Sequence, residues 1–178
     1  MKELLVSPTA NLTRSKRALL TTLSKVPYFD ELQETELLYL VRQGYPQTVP
    51  PLQFVCREGD VANSFYIILS GKVEVLSLAQ KKHISVLYEG DFFGEIALFI
   101  GTPRVATCRT LTESRFFVIH RDHLKHILMN HREIADKIAL KLLDRQNTLI
   151  ELGIIENRDQ TTEGILQQIR KRLQSLNP

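Results

Sequence analysis

The sequence predicts a mainly antiparallel β domain, a sandwich or a barrel, with α-helices before and after it along the chain. Three observations lead to this fold class. Between residues 45 and 119, short runs rich in Val, Ile, Phe, Tyr and Thr follow one another. Turn signals that contain Gly and Asp separate these runs about every 8 to 12 residues, which is too close for alternating strands and helices. Outside this region, Leu and Ile recur at helical spacing instead.

Composition and charge narrow the class of protein. The chain has 178 residues, of which 43% are apolar, and its net charge of +3 is too small to indicate nucleic-acid binding by bulk electrostatics. No apolar run approaches the ~20 residues of a membrane-spanning helix, and the start of the chain has no signal-peptide pattern. Cys56 and Cys108 lie in apolar, strand-like segments, which predicts buried, reduced thiols. We therefore expect a cytoplasmic module, either free or the cytosolic part of a membrane protein.

Two helices are predicted before the strands. Residues 1–11 have no clear pattern and are expected to form a flexible N-terminus. Residues 13–25 show helical apolar spacing until Val26 and the proline after it stop the helix. A second helix is predicted at about residues 33–43, with Gly44 as its C-terminal cap.

Six strand-like runs follow, and one short segment interrupts them. The runs are TVPPLQFVC, SFYIILSG, KVEVLSL, HISVLYEG, RVATCRTL and SRFFVI. The interruption, GEIALFIG at residues 94–101, is too rich in helix-forming residues for a strand and too short for an ordinary helix. It predicts a single helical turn inserted among the strands.

Helices return after residue 119. One is predicted from His120 to Asn130 and a longer one from His131 to about Leu152. On the longer helix the apolar side chains span an arc of about 200°, twice the stripe of roughly 100° on an ordinary surface helix. This width predicts at least two apolar neighbours, and with them self-association or a protein partner through the C-terminal helices. Arg145 falls inside the arc.

Residues 153–178 are predicted to form an amphipathic helical extension. Its helix would run from Thr161 to Leu176, with apolar residues along one side and the basic RKR run near its end. We read the basic run as the solvent side of that helix.

Glu95 and Arg104 stand where an apolar residue would be usual. Buried charges are costly unless they are paired or hydrogen-bonded, which leaves two interpretations. Either the two side chains form an internal salt bridge, or both face a ligand that carries an anion and hydroxyl groups. Arg104 can hold a phosphate by a bidentate contact. Glu95 as a carboxylate can only accept hydrogen bonds, for example from a sugar hydroxyl.

The residues around this pair favour a ligand. Gly94 begins the inserted helical turn, whose N-terminal amides can face an anion. Ala97, Val105 and Ala106 are small enough for a ligand to approach the main chain closely. A phosphate site and a ribose site side by side describe a nucleotide.

The run FGEIAL at residues 93–98, followed by PRVAT at 103–107, closely resembles the phosphate-binding cassette of cyclic-nucleotide-binding domains. We call residues 93–107 the cassette. The resemblance extends upstream over REGDVANSFYIILSGKVEV and LYEGDFFGE and spans about residues 17–152. It implies an antiparallel eight-stranded jelly roll (double-stranded β-helix) containing a short phosphate-binding helix. The domain would cover residues 12–152, with helices at 12–44, the β-roll at 45–119 and C-terminal helices at 120–152.

The resemblance also implies roles for residues of this chain. Glu95 would bind the ribose 2′-hydroxyl, assisted by the Gly94 carbonyl, and Arg104 would pair with the cyclic phosphate. Glu74 falls where some family members have an acid that couples to the cassette arginine. The further ligand contacts implied are Ile96, Ala97, Val105 and Ala106 in the cassette, Val86, Leu87 and Cys108 against the purine, and Arg145 over the base.

Cyclic AMP is the favoured ligand, with cyclic GMP as the second choice. Family members that prefer cyclic GMP usually carry Thr or Ser directly after the arginine, whereas this chain has Val105, which has no hydroxyl. For Arg145 two interpretations stay open. It covers the base, as in some channel members, or it lies at the surface with its stem on apolar residues.

Other functions are less consistent with the sequence. Jelly-roll enzymes that use a metal need several histidines inside the barrel, but residues 45–119 contain only His83, so no catalysis is expected. The histidines at 120, 123, 126 and 131 lack an acid or cysteine that would complete a metal site. Too few residues follow Leu152 for a helix-turn-helix with its wing, so no direct DNA binding is expected.

A ligand-independent structural domain of the same fold is the main alternative to a sensor. Such members typically lose the cassette acid or arginine, and this chain has both. The segment ADKIALKLLDRQNTLIELG resembles the C-terminal end of such domains attached to bacterial ion channels. We therefore expect the cytoplasmic gating module of a channel, with a free-standing regulator of a protein partner as its competitor.

Overall fold

The computed structural model describes residues 13–26, 29 and 32–156, and the isolated helical positions Gly164, Gln167 and Lys171. The predicted flexible N-terminus and, apart from those three positions, the predicted helix at 161–176 lie outside the described residues. Helices α1 (Arg14–Leu23) and α2 (Glu34–Gln43) precede the strands. Helices α4 (Arg121–Asn130) and α5 (Arg132–Glu151) follow them, and α3 (Glu95–Ile100) is inserted among them.

In the described part of the chain, eight antiparallel strands form two four-stranded sheets. The strands are β1 (Tyr45–Val49), β2 (Phe54–Cys56), β3 (Ser64–Ser70), β4 (Val73–Ser77), β5 (Lys82–Leu87), β6 (Phe92–Phe93), β7 (Thr107–Thr110) and β8 (Ser114–His120). One sheet has the order β1-β8-β3-β6 and the other β2-β7-β4-β5. The predicted antiparallel β fold with flanking helices is confirmed. Within the described residues the strand pairing does not close the two sheets into one barrel.

Strand β8 is buried on both faces and connects two parts of the core. Because successive side chains of a strand point to opposite faces, Phe117 and Ile119 join the cluster formed with the helices. Phe116 and Val118 point the other way and join a second cluster between the sheets, which also contains Cys56 and Cys108. The second cluster forms one side of the candidate site.

The end of α2 shows why a glycine is needed at residue 44. The Gly44 N–H donates to the Leu40 carbonyl oxygen at 2.8 Å, so the residue caps the helix as predicted. Its φ is −91°, however, which any residue adopts. A Cβ there would lie 2.3 Å from the Phe117 ring. Space against β8, and not a left-handed backbone, therefore requires the glycine.

Among the helices in the described part of the chain, none has both the length and the apolar character of a transmembrane helix.

Candidate functional site

A cavity of about 330 Å³ lies between the β2-β7-β4-β5 sheet, the cassette and α5. All of the residues that the sequence analysis selected as ligand contacts line it. They are Val86, Leu87, Gly94, Glu95, Ile96, Ala97, Arg104, Val105, Ala106, Cys108 and Arg145. The fold thus brings these residues together from three separate regions of the chain, and their role in binding stays a prediction.

Gly94 is the N-cap of α3 and has a main-chain conformation that only glycine adopts easily. Its φ is +92°, in the left-handed region. A Cβ at this position would lie 2.6 Å from Arg104 Nη1 and 2.9 Å from the Ser64 carbonyl oxygen. The glycine therefore serves two purposes. It turns the chain from β6 into α3, and it leaves room for the Arg104 guanidinium beside the main chain.

Arg104 is buried, with 6% of its surface exposed, and main-chain oxygens hold its guanidinium. Nη1 donates to the Gly94 carbonyl at 2.7 Å and Nη2 donates to the Ser64 carbonyl at 2.6 Å. Among the described residues, no carboxylate forms a salt bridge with Arg104, so an internal Glu95–Arg104 pair is the wrong interpretation. A guanidinium has five N–H donors, and these two bonds leave others for a group in the cavity.

Glu95 is even more deeply buried, with 1% of its surface exposed, and its partner comes from α5. Arg145 Nη1 donates to Glu95 Oε1 at 2.5 Å, and the Arg145 guanidinium carbon lies 4.8 Å from the centre of the Phe92 ring. Arg145 is thus not a surface residue that merely rests its stem on apolar side chains. It connects the middle of α5 to the first residue of α3.

Glu74 does not couple to the cassette arginine, contrary to the expectation from the family resemblance. It lies opposite Arg109 in the β4–β7 register and accepts from Arg109 Nη2 at 2.7 Å. Neither residue lines the cavity. The pair is therefore a cross-strand salt bridge outside the site.

The C-terminal end of α5 is tied to the β4–β5 hairpin. Gln80 Nε2 donates to the Gly153 carbonyl at 2.7 Å, and Lys82 Nζ donates to the Leu152 carbonyl at 2.5 Å. Carbonyls at the end of a helix lack partners within the helix, and a cation there also suits the helix dipole. These two contacts, together with Arg145, hold α5 across the cavity.

Several cavity residues were not selected from the sequence. On α5 these are Lys141, Asp144, Thr148 and Leu149. Residues three and four positions apart share one face of a helix, so Arg145 was itself the signal that could have identified Lys141, Thr148 and Leu149. Cys56 was also missed, because its position opposite Cys108 follows from the β2–β7 register.

The pKa values of one tyrosine and of both cysteines near the cavity are shifted, for different reasons. Burial raises the pKa of Tyr66, whose ring stacks on Phe93 at 4.8 Å, and the nearby Arg104 charge only partly opposes this. A hydrogen bond with the Cys108 thiol lowers the pKa of Cys56. The same hydrogen bond, with burial as the next cause, raises the pKa of Cys108. In the part of the chain that is described, no three His, Cys, Asp or Glu side chains converge as a metal site would need.

The fold places a cavity that can hold a small ligand between a sheet, the cassette and a helix. Residues 46–131, just under half of the chain, match the family model described as "Cyclic nucleotide-binding domain", and this part of the chain belongs to that family. It is 34% identical over 121 residues to a cyclic nucleotide-gated potassium channel of Rhizobium etli, covering 68% of this chain and 33% of that one. It is 30% identical over 165 residues to cyclic nucleotide-gated channel alpha-4 of Mus musculus, covering 84% of this chain and 29% of that one.

A solved structure shows the same fold. The structure of cAMP-bound PfPKA-R superposes with a TM-score of 0.71 at 23% identity, over 80% of this chain and 50% of that chain. This chain spans a third or less of the length of the two channels named above. The chain therefore carries a cyclic nucleotide-binding regulatory domain, of the kind found in such channels.

Proposed function

We propose that the chain binds cyclic AMP in the cavity beneath α5 and acts as a sensor. The observation that carries this proposal is the lack of a negatively charged partner for the Arg104 guanidinium. This charge is buried beside the cavity, and among the described residues the guanidinium donates hydrogen bonds only to two uncharged carbonyls. Buried charges in proteins are normally paired. A singly charged phosphodiester in the cavity would supply the missing anion.

The remaining polar groups suit a ribose next to that phosphate. Arg145 Nη1 donates to Glu95 Oε1, and the two oxygens of a carboxylate together offer about four acceptor positions. A carboxylate oxygen can accept more than one hydrogen bond, so a ribose 2′-hydroxyl can donate to Glu95 while Arg145 stays in place. The residues that would hold the phosphate and the sugar then lie side by side, as the phosphate and the ribose do in a cyclic nucleotide.

The purine would lie against the apolar side of the cavity. Val86, Leu87 and Cys108 line that side, and Val105 follows the cassette arginine. Val105 offers no hydroxyl to the polar edge of guanine, which is why we favour cyclic AMP over cyclic GMP. This preference is a difference in affinity, and cyclic GMP remains a weaker ligand.

The proposed output runs through α5. Arg145 bonds to the same carboxylate that would bind the ribose, and Lys141, Thr148 and Leu149 line the cavity. A ligand in the cavity therefore contacts both the cassette and α5, and it favours the conformation in which α5 covers the cavity. It can shift this equilibrium only by its difference in affinity for the two positions of α5.

The similarity to cyclic nucleotide-gated channels supports a cytoplasmic gating module as the context. In that case α5 would signal to the attached channel. A free-standing regulator would instead present α5, or a second copy of the chain, to a protein partner. Light scattering with and without cyclic AMP tests whether the chain associates with itself.

Calorimetry on the purified chain tests the proposed function. We expect one site per chain for cyclic AMP, a weaker affinity for cyclic GMP, and little heat with cyclic dinucleotides, which are about twice as large. A folded chain that binds neither cyclic mononucleotide would contradict the proposal and support a structural domain. A chain that prefers cyclic GMP would refute only the base selectivity.

A further inference from the structure

The two cysteines of the chain lie opposite each other on one wall of the cavity. Cys56 on β2 and Cys108 on β7 are Cα partners in the strand register, directly after a β-bulge or irregularity between Phe54 and Cys56. Both thiols are free and buried, and both residues line the cavity. Direct partners on antiparallel strands have Cα atoms about 4.5–5.5 Å apart, within the range of about 4.4–6.8 Å that a disulfide spans. A bond between them therefore requires little movement of the main chain.

The surroundings of the pair make the two thiols different. Three causes lower the pKa of Cys56, namely the hydrogen bond with Cys108, the positive charge of Arg104 and a main-chain hydrogen bond, while burial and the charge of Asp60 oppose them. For Cys108, the hydrogen bond with Cys56, burial and the charge of Glu95 all raise the pKa, against Arg104 alone. Cys56 is thus the thiol that ionises first, and Cys108 keeps its proton. The thiolate is the reactive form of cysteine.

We propose that Cys56 and Cys108 are a redox modification site, which a small hydroperoxide entering through the cavity converts into an intramolecular disulfide. In the first step the Cys56 thiolate attacks one peroxide oxygen and the O–O bond breaks. Cys56 becomes a sulfenic acid, and the other oxygen leaves as hydroxide, which takes up the proton that Cys56 released. In the second step the Cys108 sulfur attacks the Cys56 sulfur, the S–O bond breaks, and the hydroxyl leaves with the Cys108 proton as water. Two thiols lose two electrons in total, and one hydrogen peroxide becomes two waters.

The position of the pair links this chemistry to the ligand. Cys108 lies where the purine is proposed to pack, so a nucleotide in the cavity would separate the thiols from a hydroperoxide. This consequence rests on the proposed function, whereas the disulfide itself does not. Nucleotide occupancy and oxidation would then be mutually exclusive events at one site.

Hydrogen peroxide added to the reduced full chain tests the proposal. Mass spectrometry without reductant should show the loss of two hydrogen atoms per chain, and peptide mapping should place a cross-link between Cys56 and Cys108. Chains that keep both thiols, that form disulfides only between molecules, or that accumulate a sulfinic acid at Cys56 would overturn the proposal. Circular dichroism of each sample confirms that the fold is intact.

Single substitutions test the order of the two steps. In Cys108→Ser the Cys56 sulfenic acid should persist and be captured by dimedone, whereas Cys56→Ser should react with peroxide about tenfold more slowly. Equal rates in the two variants would contradict the assigned roles. Cys56→Ala and Cys108→Ala serve as second variants if a buried serine disturbs folding.

A final measurement separates this inference from the proposed function. Saturating cyclic AMP should slow disulfide formation about tenfold in a chain that calorimetry shows to bind it. If the nucleotide binds and gives no protection, the placement of the purine against Cys108 is wrong. If no nucleotide binds and the disulfide still forms, the redox site stands while the proposed function fails.

Discussion

Replacement of Arg104 by Gln tests the site most directly. The substitution removes a buried positive charge and keeps a planar, polar side chain. In the structure the guanidinium bonds to two carbonyls at 2.7 and 2.6 Å, and a phosphate would add up to two charge-assisted hydrogen bonds. Each such bond contributes about 1.5–3 kcal/mol. Their loss would cost about 3–6 kcal/mol, which corresponds to an affinity for cyclic AMP about 10²- to 10⁴-fold weaker.

Isothermal calorimetry measures this change, and Arg109→Gln is the matched control. Arg109 carries the same charge and lies five residues further along the chain, but its guanidinium bonds to Glu74 outside the cavity. We expect the control to bind cyclic AMP within about twofold of the unmodified chain, because neither Arg109 nor its partner Glu74 lines the cavity. Both variants change the net charge equally, so long-range electrostatics cancel in the comparison.

Two outcomes would refute the reasoning. One is a folded Arg104→Gln variant with unchanged affinity, and the other is an equal loss of affinity in both variants. The substitution also removes the contacts to Gly94 and Ser64 and so affects stability. We therefore expect the free energy of unfolding to fall by about 1–3 kcal/mol, and urea titration identifies conditions in which the variant is fully folded.

Three further predictions concern the same region. Gly94→Ala should lower the free energy of unfolding by more than about 1 kcal/mol, because φ is positive there and the Cβ would press on Arg104; urea denaturation at wild-type stability would contradict this. Val105→Thr should raise the affinity for cyclic GMP relative to cyclic AMP about fivefold, in keeping with one added hydrogen bond, and an unchanged ratio by calorimetry would remove the base-selectivity argument. Lys82→Ala should speed amide exchange in the last turn of α5, where Lys82 bonds the Leu152 carbonyl, and unaltered exchange would show that this contact does not hold the helix.

The elements that could be predicted are those with a strong local signal. Apolar spacing located α1, α2, α4 and α5 to within one or two residues, and the short segment at 94–101 became the six-residue helix α3. The cassette was identifiable because two charged residues interrupt an apolar run, and a buried charge is costly unless it has a partner. All of these signals lie within a few neighbouring positions of the chain.

The run TVPPLQFVC shows where local patterns were misleading. We predicted one strand-like run, but the structure divides it between β1, which pairs with β8, and β2, which pairs with β7 in the other sheet. Proline has no N–H to donate to a sheet, so the Pro50–Pro51 step was a signal for this break. Which sheet each half would join depends on distant strands, and no local pattern contains that information.

The pairing of side chains across strands could not be predicted from local patterns either. Glu74 was expected to act on Arg104, yet its partner is Arg109, because β4 and β7 lie in a register that brings residues 74 and 109 together. The same kind of register places Cys56 opposite Cys108. A shift by one residue would turn each of these side chains to the other face of the sheet. Residue types alone therefore selected Arg104 and Cys108 for the site, but they did not indicate which side chains lie opposite one another.

The wide apolar arc of α5 has a physical explanation in its two different neighbours. Ile134, Ile138 and Leu142, none more than 1% exposed, pack into the core shared with the other helices. Further along the helix, Leu149 and Arg145 line the cavity instead. The helix thus has one face on a solid core and another on a space that a ligand can fill. Because Arg145 lies on the cavity face and bonds Glu95, the charge inside the arc marks where α5 passes from packing against protein to covering the site.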